Sequence, residues 1–330
     1  MNDSHAWPAF EEVIGDIRAC LDQTQVLGCL AHKDADADSL GSALGFAHAM
    51  RALGKTVHVM VPSPYPRLLE YLPGFETIQA DPAPVNLLFT FDCATAARFG
   101  ELQPLLAQAK TVVNVDHHAT SEGFGTVNLV DPGASATGQV VFKLLAALEA
   151  PLDKDIATNL YAALFTDTGG FRNENTDETV LQLGAKLLGY GVDGGWVAQK
   201  CYRSRSVARV RLEGIATSNI ETRNDGAIVF AEVTQAMLSE TGADMQEAEG
   251  IIDHLQSVDS MKIAVLFKEV GPGLTKISVR TRDAIDATEI CTPFGGGGHR
   301  RAAGAEINKP LSEAKPAVLQ VAERLLGARV

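Results

Sequence analysis

The segment His32-Lys33-Asp34-Ala35-Asp36-Ala37-Asp38 places three carboxylates at alternate positions behind an imidazole, with no basic residue between them. In an extended loop this alternation points Asp34, Asp36 and Asp38 the same way, and such a group repels itself unless cations neutralise it. The same spacing also suits a solvated acidic loop capping the next helix, so other segments must decide. Asp92 ends the apolar run at 86–92, and Asp116-His117-His118 follows the apolar run at 111–115. Adjacent histidines at a strand end have no packing rationale. With Asp116 available to orient one imidazole, they suit a metal ligand beside a phosphate-facing partner. Asp167 closes an apolar helical stretch and precedes Gly169 and Gly170, which let backbone approach a ligand. The inventory His32, Asp36, Asp38, Asp92, His117 and Asp167 contains four carboxylates, two imidazoles and no thiol. That donor set suits Mn²⁺ or Mg²⁺ better than zinc and is large enough to hold two divalent ions with one carboxylate bridging. Two ions roughly 3.5–4 Å apart can hold a hydroxide and clamp the oxygens of an in-line phosphoryl displacement. The expected chemistry is metal-dependent hydrolysis of a phosphate ester or anhydride.

In the second half, four consecutive glycines, Gly295, Gly296, Gly297 and Gly298, precede His299, Arg300 and Arg301. The glycines are read as a non-packing feature whose exposed N–H groups cradle an anion at the start of a short helix. No GxxxxGK[ST] occurs, which argues against a Walker-type nucleotide triphosphatase. Arg280 and Arg282 share a face if their strand alternates, and either guanidinium suits phosphate or carboxylate. The run Lys200, Arg203, Arg205, Arg209 and Arg211 reads as a wet helix face.

The elements that must position these groups alternate strand and helix. Apolar runs at 26–31, 56–61, 86–92 and 111–116 are separated by helical patterns at 39–54, with Ser39 as N-cap, and at 101–109, after a first helix within 7–24. This predicts an α/β fold with a doubly wound, mostly parallel sheet and helices on both faces. Ligands in such sheets bind beyond the carboxyl ends of the strands, where His32, Asp92 and His117 fall. Residues 135–190 read as helices in series, interrupted at 166–171. Beyond a helical linker at 191–215, strands at 222–233, 262–270 and 274–281 with Asn-Asp-Gly and Gly-Pro-Gly turns show hairpin grammar and not βαβ, predicting a smaller C-terminal α+β domain. The expected division is 1–190, 191–215 and 216–330.

Composition narrows the partners. The 330 residues are 46% hydrophobic and 21% charged, with a formal net charge of −13. Residues 1–190 carry 11 basic against 23 acidic side chains, and residues 191–330 carry 17 against 18. This balance disfavours gripping a long duplex. Five cysteines without a CxxC, an acidic start without a basic leader, and no apolar run of about 18 residues point to a cytoplasmic protein with no membrane partner. A homodimer is compatible with the sequence.

In order along the chain, His32-x3-Asp36-x-Asp38, Asp92, Asp116-His117-His118, Thr166-Asp167-Thr168-Gly169-Gly170-Phe171 and Gly295-Gly296-Gly297-Gly298-His299 resemble the motifs of the DHH phosphoesterase superfamily with its DHH-associated C-terminal domain. Within it, the chain most resembles the branch of nanoRNA-degrading oligoribonucleases and 3′-phosphoadenosine 5′-phosphate phosphatases. The motifs cover 32–304. The resemblance implies a dimanganese site in a DHH catalytic domain, with His32 and Asp36 on one ion, Asp38, His117 and Asp167 on the other, and Asp92 bridging. It implies that His118 faces the scissile phosphate and that Arg98 faces the cleft. It further implies that Arg280 and the loop at Gly296, Gly297, Gly298 and His299 hold the far end of a short single-stranded RNA or small nucleotide. The chain departs from the family pattern at Asp34, Ala35 and Ala37, where Asn, Pro and Gly are usual, and at Thr281-Arg282, where Ser is commoner. Cyclic or linear dinucleotide hydrolysis is an alternative. A pyrophosphatase or exopolyphosphatase is another, although it should lack the glycine loop, and a nucleotide-sensing module would bind without turnover.

Overall fold

The structure is a computed structural model that describes residues 7–79 and 81–327; the first six residues of the acidic start lie outside the described residues. The chain divides into two compact units between Ser204 and Arg205.

The first unit opens with α1 (Phe10–Asp22), which buries Val13, Ile14, Ile17 and Leu21 along one stripe. There follow β1 (Val26–Ala31), α2 (Ala37–Ala52), β2 (Thr56–Met60), β3 (Leu87–Phe91), α3 (Pro104–Gln108), β4 (Thr111–Asp116), β5 (Val127–Val130), α4 (Thr137–Ala147), α5 (Lys154–Asp167), α6 (Glu178–Leu188) and α7 (Gly194–Tyr202). The five strands are all parallel, in the order β2-β1-β3-β4-β5. Alternate residues serve two cores: Leu27, Cys29 and Ala31 join α2, α4 and α5 on one side. Leu30 and Leu88 join Phe99 and Leu105 on the other, which is covered by a 3₁₀ segment, Ala96–Leu102, and by α3. The short β5 was not anticipated. Glycines on α2 bring the layers close: a Cβ at Gly41 would stand 2.7 Å from the Asn159 carbonyl oxygen of α5.

Register is what positions the site. Ala31 pairs with Phe91, and Phe91 with Val115, so β1 and β3 end level and β4 runs one residue further, to Asp116. His32 and Asp92, just past β1 and β3, and Asp116, the last residue of β4, therefore stand in a row.

The segment 191–215, expected as a helical linker, forms two helices. In α7, Val197 lies in the core of the first unit; in α8 (Val207–Ser218), Leu212 and Ala216 lie in a core of the second. The second unit continues with β6 (Glu221–Arg223), β7 (Ile228–Val233), α9 (Gln235–Thr241), α10 (Ile251–Gln256), β8 (Ile263–Gly271), β9 (Leu274–Thr281), α11 (Ala287–Cys291), β10 (Gly297–His299), β11 (Ala302–Ile307) and α12 (Leu311–Gly327). Its sheet runs β10-β11-β9-β8-β7-β6. Ile228 and Phe230 face the core under α12, whereas Val229 and Ala231 face the one under α8 and α10. Hairpin grammar holds for β6/β7 and β8/β9, but β7 and β8 are parallel. Parallel neighbours need a crossover of about a dozen residues or more, and α9 and α10 supply it. The expectation of hairpins alone is corrected at this point.

The glycine run is also corrected. No short helix follows it: Gly297–His299 is an edge strand antiparallel to β11. Two of the glycines are required by packing, since a Cβ at Gly296 would stand 2.2 Å from the Gly304 carbonyl oxygen and one at Gly298 2.5 Å from that of Ala302. At Gly297 nothing lies within 4 Å. Gly296→Ala is accordingly expected to destabilise the protein by about 1–3 kcal/mol, as overpacking does, because the obstacle is backbone. Urea unfolding would read this as a lower midpoint at unchanged slope.

Candidate metal centre

The β1–α2 loop is not extended. Asp34 takes a left-handed backbone (φ 55°) and α2 starts at Ala37, so the three carboxylates diverge. Asp34 is exposed; Asp36, and not Ser39, caps α2, accepting from the Ser39 amide at 2.9 Å. Asp38 turns inward and is buried. The Ser39 hydroxyl instead accepts from the His32 amide (3.1 Å) and donates to the Phe91 carbonyl (3.3 Å), tying the ends of β1 and β3 together.

Around Asp92 the ligand candidates converge. Its Oδ2 lies 3.4 Å from His32 Nε2, and its Oδ1 lies 3.4 Å from His117 Nε2. His117 Nε2 also faces Asp38 Oδ2 and Asp167 Oδ2, each at 3.7 Å, and His32 Nε2 stands 4.0 Å from Asp36 Oδ1. These separations exceed the usual N–H···O length of about 2.9–3.0 Å, so the groups surround common points without closing on one another. The other ring nitrogens are anchored, His32 Nδ1 at the Lys33 carbonyl (2.8 Å) and His117 Nδ1 at the Ala134 carbonyl (3.1 Å). Protonation there leaves each Nε2 with its lone pair directed at the carboxylates. Among the potential metal-holding groups are His32/Asp36/Asp92 and Asp38/Asp92/His117, which share Asp92; Asp92, Asp116 and His118 also lie close enough to form one.

The electrostatics fit divalent cations. Burial, reinforced by Asp92 and Asp167, pushes the Asp38 carboxyl well above its usual range; burial likewise pushes Asp167 up to about 7, with Asp92 and Asp36 adding to it. Burial also opposes ionisation of Asp92, but His117 and His32 outweigh it and hold this carboxyl low. Burial disfavours the His117 imidazolium, yet Asp92, Asp167 and Asp38 together raise its pKa well above the ordinary value. Four acidic groups thus compete for two imidazoles, an imbalance that bound cations resolve.

His118 stands beside this cluster. Its Nδ1 donates to Asp116 Oδ1 at 2.6 Å, and the same oxygen accepts the His117 (2.8 Å) and His118 (3.2 Å) amides. Asp116 therefore fixes ring and strand end at once. Arg98, exposed on the 3₁₀ segment, brings Nη2 to 3.1 Å from His32 Nδ1.

Sequence reasoning missed the start of α4. The Thr137 hydroxyl donates to Asp92 Oδ1 (2.9 Å), and the Thr137 and Gly138 amides donate to Asp38 Oδ2 (2.7 Å) and Oδ1 (2.9 Å). The only sequence signal is the small-residue string Ser135-Ala136-Thr137-Gly138 before an apolar helix.

In the second unit, Arg280 is half-buried on β9, with Nη1 donating to the Val279 carbonyl. Arg282 is committed elsewhere, to the carbonyls of Gln256 and Val258 at the end of α10. Arg209, read as part of a wet face, is buried and paired with Glu213 at 3.0 Å.

A parallel α/β unit with imidazoles and carboxylates gathered at its strand ends, in groups that could hold a divalent ion, is followed by a second unit of mixed sheet and helices, the arrangement of a phosphoesterase of the DHH family. The DHH family, N-terminal domain, matches residues 28–164, and the DHHA1 domain matches 225–328. Among curated relatives, the bifunctional oligoribonuclease and PAP phosphatase NrnA of Thermus thermophilus is 34% identical over 84% of this chain and 82% of its own. The Bacillus subtilis protein of the same name is 25% identical over 84% and 87%. An exopolyphosphatase-related protein from Bacteroides fragilis shares the fold, with a TM-score of 0.82 at 22% identity over 95% of this chain and 96% of that one. The exonuclease RecJ bound to manganese aligns with a TM-score of 0.54 at 16% identity, over 98% and 96%. The chain belongs to the DHH family.

Proposed function

We propose that the protein hydrolyses short oligoribonucleotides to mononucleotides and removes the 3′-phosphate of 3′-phosphoadenosine 5′-phosphate, using two Mn²⁺ ions. The observation that carries this is Asp92, which offers one oxygen to the side of His32 and the other to the side of His117. In this reading His32 and Asp36 hold one ion, Asp38, His117 and Asp167 the other, and Asp92 joins them. Ions bound there supply a nucleophile at neutral pH and neutralise charge developing on the phosphoryl oxygens.

The remaining steps belong to the chain. Asp116 holds His118 by Nδ1, so that Nε2 is the ring atom directed at the scissile phosphate. Arg98 binds a substrate phosphate oxygen, and in the second unit the substrate-binding residues of this reading are Arg280, Gly296, Gly297, Gly298 and His299. The names of the relatives at 34% and 25% identity support the substrate class. Charge supports a small one, because residues 1–190 carry 23 acidic against 11 basic side chains, and a long strand calls for a continuous basic groove. The five cysteines are free thiols, which accords with work in the cytoplasm, and among the described residues no helix is long and apolar enough to cross a membrane.

The test supplies Mn²⁺ and compares 3′-phosphoadenosine 5′-phosphate, a 5′-labelled RNA pentamer and pyrophosphate side by side. Release of phosphate from the first and mononucleotides from the second, both lost on chelation, is the expected result. Hydrolysis of pyrophosphate alone, or nucleotide binding without turnover, would overturn the reading.

A further inference from the structure

The first residue of α4 spends its polar groups in an unusual way. A helix N-terminus leaves amides unpaired, normally satisfied by a capping side chain just before it. Here the N-cap, Ala136, has no side chain able to do so, and the amides of Thr137 and Gly138 are satisfied by Asp38, about a hundred positions earlier in the chain. The Thr137 hydroxyl, wholly buried, donates to Asp92 Oδ1. That oxygen is the one facing His117, not the one facing His32. Gly138 is constrained as well, since a Cβ there would stand 2.6 Å from the Ala163 Cβ of α5. One helix start thus fixes both Asp38 and the His117 side of Asp92, whereas His32 and Asp36 take their positions from the β1–α2 loop.

We propose that Thr137 is a positioning residue that makes the two metal positions inequivalent, its hydroxyl setting the rotation of the Asp92 carboxylate toward the ion shared with Asp38, His117 and Asp167. The inference rests on the two-ion reading above. With the hydroxyl gone, Asp92 Oδ1 loses its donor and turns freely toward His32. The position beside His32 then keeps its ligands, while the position beside His117 loses a fixed one.

The experiment titrates the metal-free full-length protein with Mn²⁺ by calorimetry, without substrate, for wild type, Thr137→Val and Thr137→Ser. Valine keeps the shape of threonine without its donor, and serine keeps the donor. Partners of metal ligands are typically worth about 10–100-fold in metal affinity, so in Thr137→Val one of the two ions should weaken by that factor and the other stay within a few-fold. Thr137→Ser should restore wild-type binding. In the assay, the valine variant should show a reduced kcat at Mn²⁺ sufficient for wild type, recovering as Mn²⁺ is raised. Unchanged binding of both ions in Thr137→Val overturns the proposal, as does a serine variant as defective as the valine one. If Thr137→Val fails to fold, Thr137→Ala, which adds no bulk, carries the same two outcomes. A wild-type protein that binds fewer than two ions fails the two-ion reading itself, a result visible in the wild-type titration alone and distinct from a failure confined to the variants.

Discussion

Asp92→Ala is expected to lower kcat by on the order of 10³-fold or more and to weaken both Mn²⁺ ions. A metal's electrostatic contribution to phosphoryl transfer is several kcal/mol, and each 1.4 kcal/mol is about tenfold in rate. Among the described residues Asp92 alone belongs to both the His32/Asp36/Asp92 and the Asp38/Asp92/His117 groups, so the contrast with Asp36→Ala is informative: that variant should weaken a single ion. Backbone geometry complicates the alanine. Asp92 sits at φ 60°, a left-handed conformation that costs a residue with a Cβ roughly 1–2 kcal/mol and that Asn and Asp tolerate best. Asp92→Asn therefore isolates the lost charge, and both variants should be inactive while only the alanine one is also destabilised. Near-normal turnover in Asp92→Ala, or loss of a single ion, would remove Asp92 from its bridging place.

The reason Asp92 could be read in the sequence is topological. A parallel sheet collects its functional groups past the carboxyl ends of its strands, so Asp92 and Asp116 at the close of apolar runs, and His32 after another, were marked by position as well as by type. Registers that pair Ala31 with Phe91 and Phe91 with Val115 turn that one-dimensional mark into adjacency. What stayed hidden depends on partners distant in sequence or on local backbone. Thr137 looks like any helix-start residue, because the carboxylates it serves lie 45 and 99 positions earlier. The alternation argument for Asp34, Asp36 and Asp38 assumed an extended loop, and a single left-handed residue at Asp34 undid it while leaving Asp36 and Asp38 as ligand candidates. The four glycines announce freedom from side chains but not the use made of it. At Gly296 and Gly298 that use is close approach to β11, whereas Gly295 and Gly297 have the open surroundings a ligand-facing backbone calls for. In the second unit, α9 and α10 are only seven and six residues long, too short for the 3.6-residue period to register against the stronger strand signals around them.

His118→Ala should keep both ions and yet lose about 10²-fold or more in kcat, the usual weight of a positioned acid–base group. The ion test matters because His117 and His118 are neighbours: His117 Nε2 faces three carboxylates of the metal centre, Asp38, Asp92 and Asp167, at 3.4–3.7 Å, whereas His118 Nδ1 is bonded to Asp116 at 2.6 Å and lies 3.7 Å from Asp92 Oδ1. Asp116→Asn should give a loss of similar size for a different reason. The amide oxygen still accepts the His117 and His118 backbone donors, so the strand end survives. What disappears is the negative charge that orients the His118 ring and favours its imidazolium; that ring, despite burial, has its pKa raised by Asp116 and Asp92. If the two residues act as one unit, the double variant should be scarcely slower than either single one, since groups that work together are strongly non-additive. Losses that multiply in the double variant would mean that the Asp116 charge acts independently of His118, and release of an ion from His118→Ala would make His118 a ligand and not the group that meets the phosphate.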